Sequence, residues 1–120
     1  MRDFLNAIHA FQRENVGHEK HVPDLPGCFV SVATFWEMAI KTSIGKLEMK
    51  MPLTQLKRLI TENGIETLPI DIEHTLLIAE LPFYHKDPFD RLLIAQAINE
   101  NMTLLSRDEK FLLYAIKTLW

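Results

Sequence analysis

The sequence predicts an α/β domain in three layers, a parallel sheet with helices on both faces, and three observations lead there. Short β-type segments alternate with helix-patterned ones along most of the chain, an order that calls for crossover connections and a parallel sheet. The 120 residues suit one compact core and leave no room for a second. Apolar residues make up 48% and charged residues 24%, globular proportions that exclude a disordered chain.

Residues 3–14 have the pattern of an amphipathic helix, with Phe4, Leu5, Ile8 and Phe11 on one stripe. Between Asn15 and Gly27 the chain turns polar and loses periodicity, so it reads as a long loop. "CFVSV" (28–32) is a short buried strand, and "ATFWEMAIKTSIGKL" continues as a helix that stops near Gly45. "PLTQLKRLITENG" is a second helix: proline starts it, Leu53, Leu56, Leu59 and Ile60 form its stripe, and Asn63-Gly64 closes it. "IETLPI" is a strand whose Pro69 puts that end at an edge or outside the ladder. "DIEHTLLIAEL" is a helix ended by Pro82. "DPFDRLLIAQAI" is another, followed by the strand "MTLLS" and a last short helix "DEKFLLYAI".

Several function classes drop out at this level. The single cysteine, Cys28, excludes an internal disulfide framework and fits a reducing cytoplasm. The N-terminal segment is too polar for a secretory signal, and no apolar run approaches the roughly 20 residues of a membrane span. A formal net charge of −3 means that the surface as a whole does not attract a polyanion. A nucleic-acid partner would need local Lys and Arg, or bound cations.

The candidates for chemistry are carboxylates. In "HKDPFDRLLIAQA", Asp87 has the makings of an N-cap, with Pro88 at the first helical position. Asp90 suits the positive end of the helix dipole, but it also lies three, four, seven and eight residues before Leu93, Ile94, Ala97 and Ile98. It therefore shares the apolar face, where an uncompensated carboxylate is costly. Glu37 can pair with Lys41 one turn on, and Asp108 can cap the helix that follows "MTLLS". Taken together, the three acids follow or face the carboxyl ends of strands, where parallel sheets form their binding crevice. Carboxylates gathered there repel one another and need a cation. Without His or Cys at useful spacing, Mg²⁺ or Mn²⁺ is the expected ion, and phosphoryl-transfer chemistry the expected use.

These motifs resemble a known family. "FVSVATFWEMAIKTSIGKLEM", "LPFYHKDPFDRLLIAQAINENMTLLSRDEKF" and the final "LW" look like a PIN domain, in the bacterial subgroup of type II toxin–antitoxin ribonucleases often called VapC-like. The likeness covers residues 28–120 in order, so the chain is expected to form one PIN-like domain with residues 1–27 as an atypical helix and loop. It implies a three-layer α/β/α fold with a central parallel sheet and a cytoplasmic Mg²⁺- or Mn²⁺-dependent endoribonuclease. It also implies an RNA substrate, a cognate antitoxin protein, a homodimer and no membrane association. Carried over residue by residue, the family acids are Glu37, Asp90 and Asp108, as catalytic residues and as metal ligands.

The resemblance also implies a departure. Members of the subgroup open with a strand of the form LLLDTHxxLW, central in the sheet, whose aspartate is the first metal ligand. Nothing here fits it, since Asp3 has no apolar strand before it. The expected fold therefore lacks its N-terminal strand, as in an N-terminally truncated chain, and the alternative function is a non-catalytic PIN-like module that binds a partner. A phosphoacceptor signalling domain, also built on acids at strand ends, would need an early strand-end Asp pair and a late Lys, which are absent. Other features carry less. His18 and His21 lack further ligands for zinc, and His85 beside Lys86 reads as solvated loop. Trp36 and Trp120 read as core or interface aromatics. Lys41, Lys46, Arg91, Arg107 and Lys110 flank the expected cleft in sequence.

Overall fold

The computed structural model describes residues 10–13, 27–48, 51–84, 86–105 and 118–119. In chain order these form strands β1 (Ala10–Arg13) and β2 (Cys28–Ser31), then helices α1 (Val32–Ser43) and α2 (Leu53–Glu62). Strand β3 (Glu66–Leu68), helix α3 (Ile72–Ile78) and helix α4 (Pro88–Asn99) follow, then β4 (Met102–Leu105) and β5 (Thr118–Leu119). The loop expected over 15–27 and the last helix expected after "MTLLS" lie almost wholly outside the described residues.

Local chemistry explains most boundaries. Ser31 ends β2 and caps α1 at once, its Oγ accepting from the Ala33 N–H at 3.0 Å, so strand passes into helix without a loop. Gly45, at φ +74°, turns the chain away after α1 in a conformation that disfavours any side chain. Between α4 and β4, Asn101 takes φ +53°, which asparagine tolerates better than most residues.

The sheet order is β3-β2-β1-β4-β5. β2 with β3 and β4 with β5 pair in parallel, as expected, and β3 sits at an outer edge with Pro69 just beyond it. Two expectations are corrected at the centre. Residues 10–13 are strand, not the end of a helix, and an N-terminal strand does occupy the middle of the sheet. It runs antiparallel to both neighbours, so the central sheet is mixed rather than wholly parallel. Phe11 pairs with Phe29 on one side and Leu104 on the other, and Ala10 pairs with Leu105.

The reason is a slot. Without a strand between them, β2 and β4 would leave two rows of ladder groups unpaired, a costlier outcome than overriding a local helical pattern. Ala10 and Phe11 are consecutive and both fully buried, on opposite faces of the sheet. A surface helix would have exposed one side of that stretch. On one face Ala10, Val30 and Leu105 pack with Leu56 and Ile60 of α2, and Phe35 and Met38 of α1 lie against them. On the other, Phe11, Leu104, Met102 and Leu68 pack with Leu93, Ile94 and Ala97 of α4. Helix α3 lies against α4. The three layers expected from the sequence are therefore present.

Candidate active site

Glu37 and Asp90 ride on two helices that touch. Helix α1 starts directly at the carboxyl end of β2, and Glu37 stands in its second turn. Its carboxylate, 22% exposed, lies 3.1 Å from the Lys41 Nζ. Helix α4 begins with Asp87, whose Oδ1 accepts from the Phe89 N–H at 2.8 Å and the Asp90 N–H at 3.3 Å. Asp87 is thereby committed to the cap, as its position suggested. Asp90 is half-buried in the first turn, where the helix dipole favours a negative charge.

The helices pack on each other through an edge contact between Trp36 and Phe89, ring centroids 4.9 Å apart and planes at 75°. Each ring belongs to the residue just before one of the two acids. Oxygen donors of this kind suit a hard divalent cation, and they are the groups that would hold it. Asp108, the third acid, lies outside the described residues, as do Asp3, His18, His21, His85, Arg107, Lys110 and Trp120.

A PIN domain family model matches residues 6–117. The chain belongs to the PIN domain family. Comparisons with curated proteins and with solved structures gave no significant match. PIN domains are generally metal-dependent nucleases, and the matched span takes in β1 as well as the segments that carry the resemblance.

In this PIN domain the reversal of β1 has a local effect. At the end of the sheet where β2 and β4 finish, the central strand contributes its first residue, the buried Ala10 beside Leu105. Its last residue, Arg13, lies at the opposite end beside Met102, and no described residue of β1 is an acid. One sequence reading of the surroundings is corrected as well. Arg91 is not a cleft cation: it is buried, and its guanidinium donates to the carbonyls of Ile78 at 2.9 Å, Pro82 at 3.0 Å and Leu81 at 3.5 Å. Trp36, expected as a core or interface aromatic, is 54% exposed and lines an open, mainly apolar groove of about 630 Å³ with Val32, Phe35, Leu53 and Lys57. Among the described residues no helix is long and apolar enough to cross a membrane.

The sequence reading missed one cluster. Ligand atoms of Asp71, His74 and Glu100 lie within 4.8 Å of one another, close enough to suggest a metal. The hydrogen bonds argue otherwise. His74 Nδ1 accepts from the Asp71 N–H at 3.0 Å, so Nε2 carries the proton and donates to Glu100 Oε2 at 2.9 Å. A metal on Nε2 would require a proton on Nδ1, facing that N–H and the Gln96 Nε2 3.5 Å away. The cluster is a tie between α3 and the end of α4. The hydrogen bond from His74 is the main cause holding the Glu100 carboxyl below the usual range, with a smaller contribution from the charge of Arg13. Glu100 stands ten residues beyond Asp90 along α4, about 15 Å at the helical rise, so the two are separate. An Asp three residues before a His at a helix start was the available signal, in the manner of a capping box.

Proposed function

We propose that this PIN domain is a ribonuclease of the VapC toxin type, hydrolysing RNA phosphodiesters with Mg²⁺ or Mn²⁺ held by Glu37, Asp90 and Asp108. The observation that carries the reading is the 4.9 Å contact of Trp36 with Phe89, which joins the helix turns bearing Glu37 and Asp90 in a member of a nuclease family. The ion, when bound, would activate water and neutralise charge on the phosphate. The protein's own part is to present the carboxylates: the α4 dipole favours the charge on Asp90, the Asp87 cap fixes the turn beneath it, and Lys41 steadies Glu37. On this reading a cognate antitoxin protein, a second copy of the chain and a cytoplasmic setting belong to its biology, and the apolar groove beside Trp36 suits the protein partner.

A second reading is favoured by β1. Among the described residues β1 presents Ala10, not an acid, at the end where β2 and β4 finish, and a site with one carboxylate fewer would hold Mg²⁺ poorly, since that ion demands near-octahedral placement. The chain would then serve as a partner-binding module without catalysis. Cleavage of a labelled RNA in Mg²⁺ and in Mn²⁺, by the full chain and by Asp90→Asn, separates the two. Weak cleavage, better in Mn²⁺ and abolished by Asp90→Asn, supports the nuclease. No cleavage in either metal favours the module, and cleavage that survives Asp90→Asn refutes the site.

A further inference from the structure

The loop between α3 and α4 carries a ring that the fold holds in place without burying it. Phe83 is 72% exposed, and single exposed apolar residues ordinarily require no explanation. Its support is what sets it apart. The Arg91 guanidinium lies 4.2 Å from the ring centroid, and the same group donates to the carbonyls of Ile78, Leu81 and Pro82. Arg91 is only 6% exposed, so a largely desolvated charge fastens residues 78–83 to α4 and supports one face of the ring. The other face is left to solvent. Arg91 is also the residue next to Asp90, so the ring is tied to the turn that bears the proposed catalytic acid.

We propose that Phe83 is a stacking platform for one base of a single-stranded RNA substrate, with Arg91 as its positioning residue. The proposal rests on the nuclease reading above and names the form of RNA that site would take. Proteins that bind single strands do so by stacking unpaired bases on exposed aromatic side chains, and the buried guanidinium holds this ring in place for such a contact. A duplex, whose bases are already stacked, could not use the ring.

The probe is a fluorescein-labelled single-stranded RNA octamer, bound in EDTA so that no cleavage intervenes, with affinity read by anisotropy. Phe83→Ala should bind about five- to a hundredfold more weakly, the range measured for loss of one stacked base, while its circular dichroism and melting temperature match the wild type. Phe83→Trp should retain affinity and gain an emission signal that the RNA quenches and an abasic oligomer of equal length does not. Equal RNA affinity of Phe83→Ala and wild type would overturn the stacking role and leave the nuclease reading intact. Unchanged RNA affinity with self-association lost, seen by light scattering, would assign the ring to a protein contact and likewise overturn it. An RNA that neither binds nor is cut by the wild type would overturn both readings.

Discussion

Replacing His74 with alanine tests the tie between α3 and the end of α4. The side chain is fully buried and makes two short hydrogen bonds, so three losses follow. The Asp71 N–H loses its acceptor, comparable to losing a helix cap at about 1 kcal/mol. The bond to the Glu100 carboxylate is worth about 1.5 kcal/mol, the low end for a charged partner, because Glu100 is partly exposed and regains water. The vacated space adds about 1–2 kcal/mol. The expected destabilisation is about 4 kcal/mol, a large part of a typical total on the order of 5–15 kcal/mol. Glu100→Gln alone should cost about 1 kcal/mol, and the double variant should show coupling of about 1 kcal/mol. Because the folded-state pKa of Glu100 is depressed, its contribution is present above the ordinary carboxylate range and is lost as pH falls through the folded value. The Glu100→Gln penalty should therefore be complete at pH 7 and shrink on acidification below about pH 4. Urea unfolding followed by circular dichroism at several pH values measures all of this. A His74→Ala cost under about 1 kcal/mol, or a Glu100→Gln penalty unchanged from neutral to acid pH, would refute the tautomer and the tie.

Three further outcomes are expected. Phe11→Ala should lose about 3–5 kcal/mol in denaturant unfolding, as for a fully buried aromatic; a loss near 0.5 kcal/mol would place residues 10–13 at the surface instead. Asp87→Ala should lower stability by about 1 kcal/mol through loss of the cap, whereas Asp90→Asn should remove metal-dependent cleavage from a chain that still folds. Cys28 is buried, and burial pushes its thiol pKa up, so a thiol reagent at pH 8 should modify it only at the rate of unfolding. Fast labelling of the native protein would contradict that environment.

Most of the fold was legible because its helices announce themselves locally. The Asp-Pro start of α4 and its apolar run, the proline and Asn-Gly around α2, and the glycine after α1 each name a boundary by their own chemistry. β1 was not legible, for the opposite reason. Phe4, Leu5, Ile8 and Phe11 carry helical spacing, and only the empty place between β2 and β4 makes Ala10–Arg13 a strand. The direction of that strand is also a property of the whole sheet and is invisible in four residues. At the site, Asp87 and Asp90 were separable in advance because a cap and an apolar face impose different positions on one helix. The His74 tie was missed because it joins residues 26 apart in sequence, one of them, Glu100, at a helix end. Arg91 looked like a surface cation, since a side chain that turns back onto carbonyls of the preceding loop leaves no trace in periodicity.

The placement of β1 also has a consequence in time. Ala10 is made 95 residues before Leu105, the residue it pairs with in β4. On a ribosome, β2 and β3 can associate as soon as both have emerged, but the middle of the sheet waits until β4 is available. Through that interval β1 can pair along one side only, with β2, and its other row of ladder groups stays unpaired. The N-terminal strand thus acts as a closing piece for the sheet. Folding should be slow for a chain of this length, with rates governed by the meeting of distant segments. Any tag or fusion that restrains residues before Ala10 should delay that closure far more than one attached elsewhere.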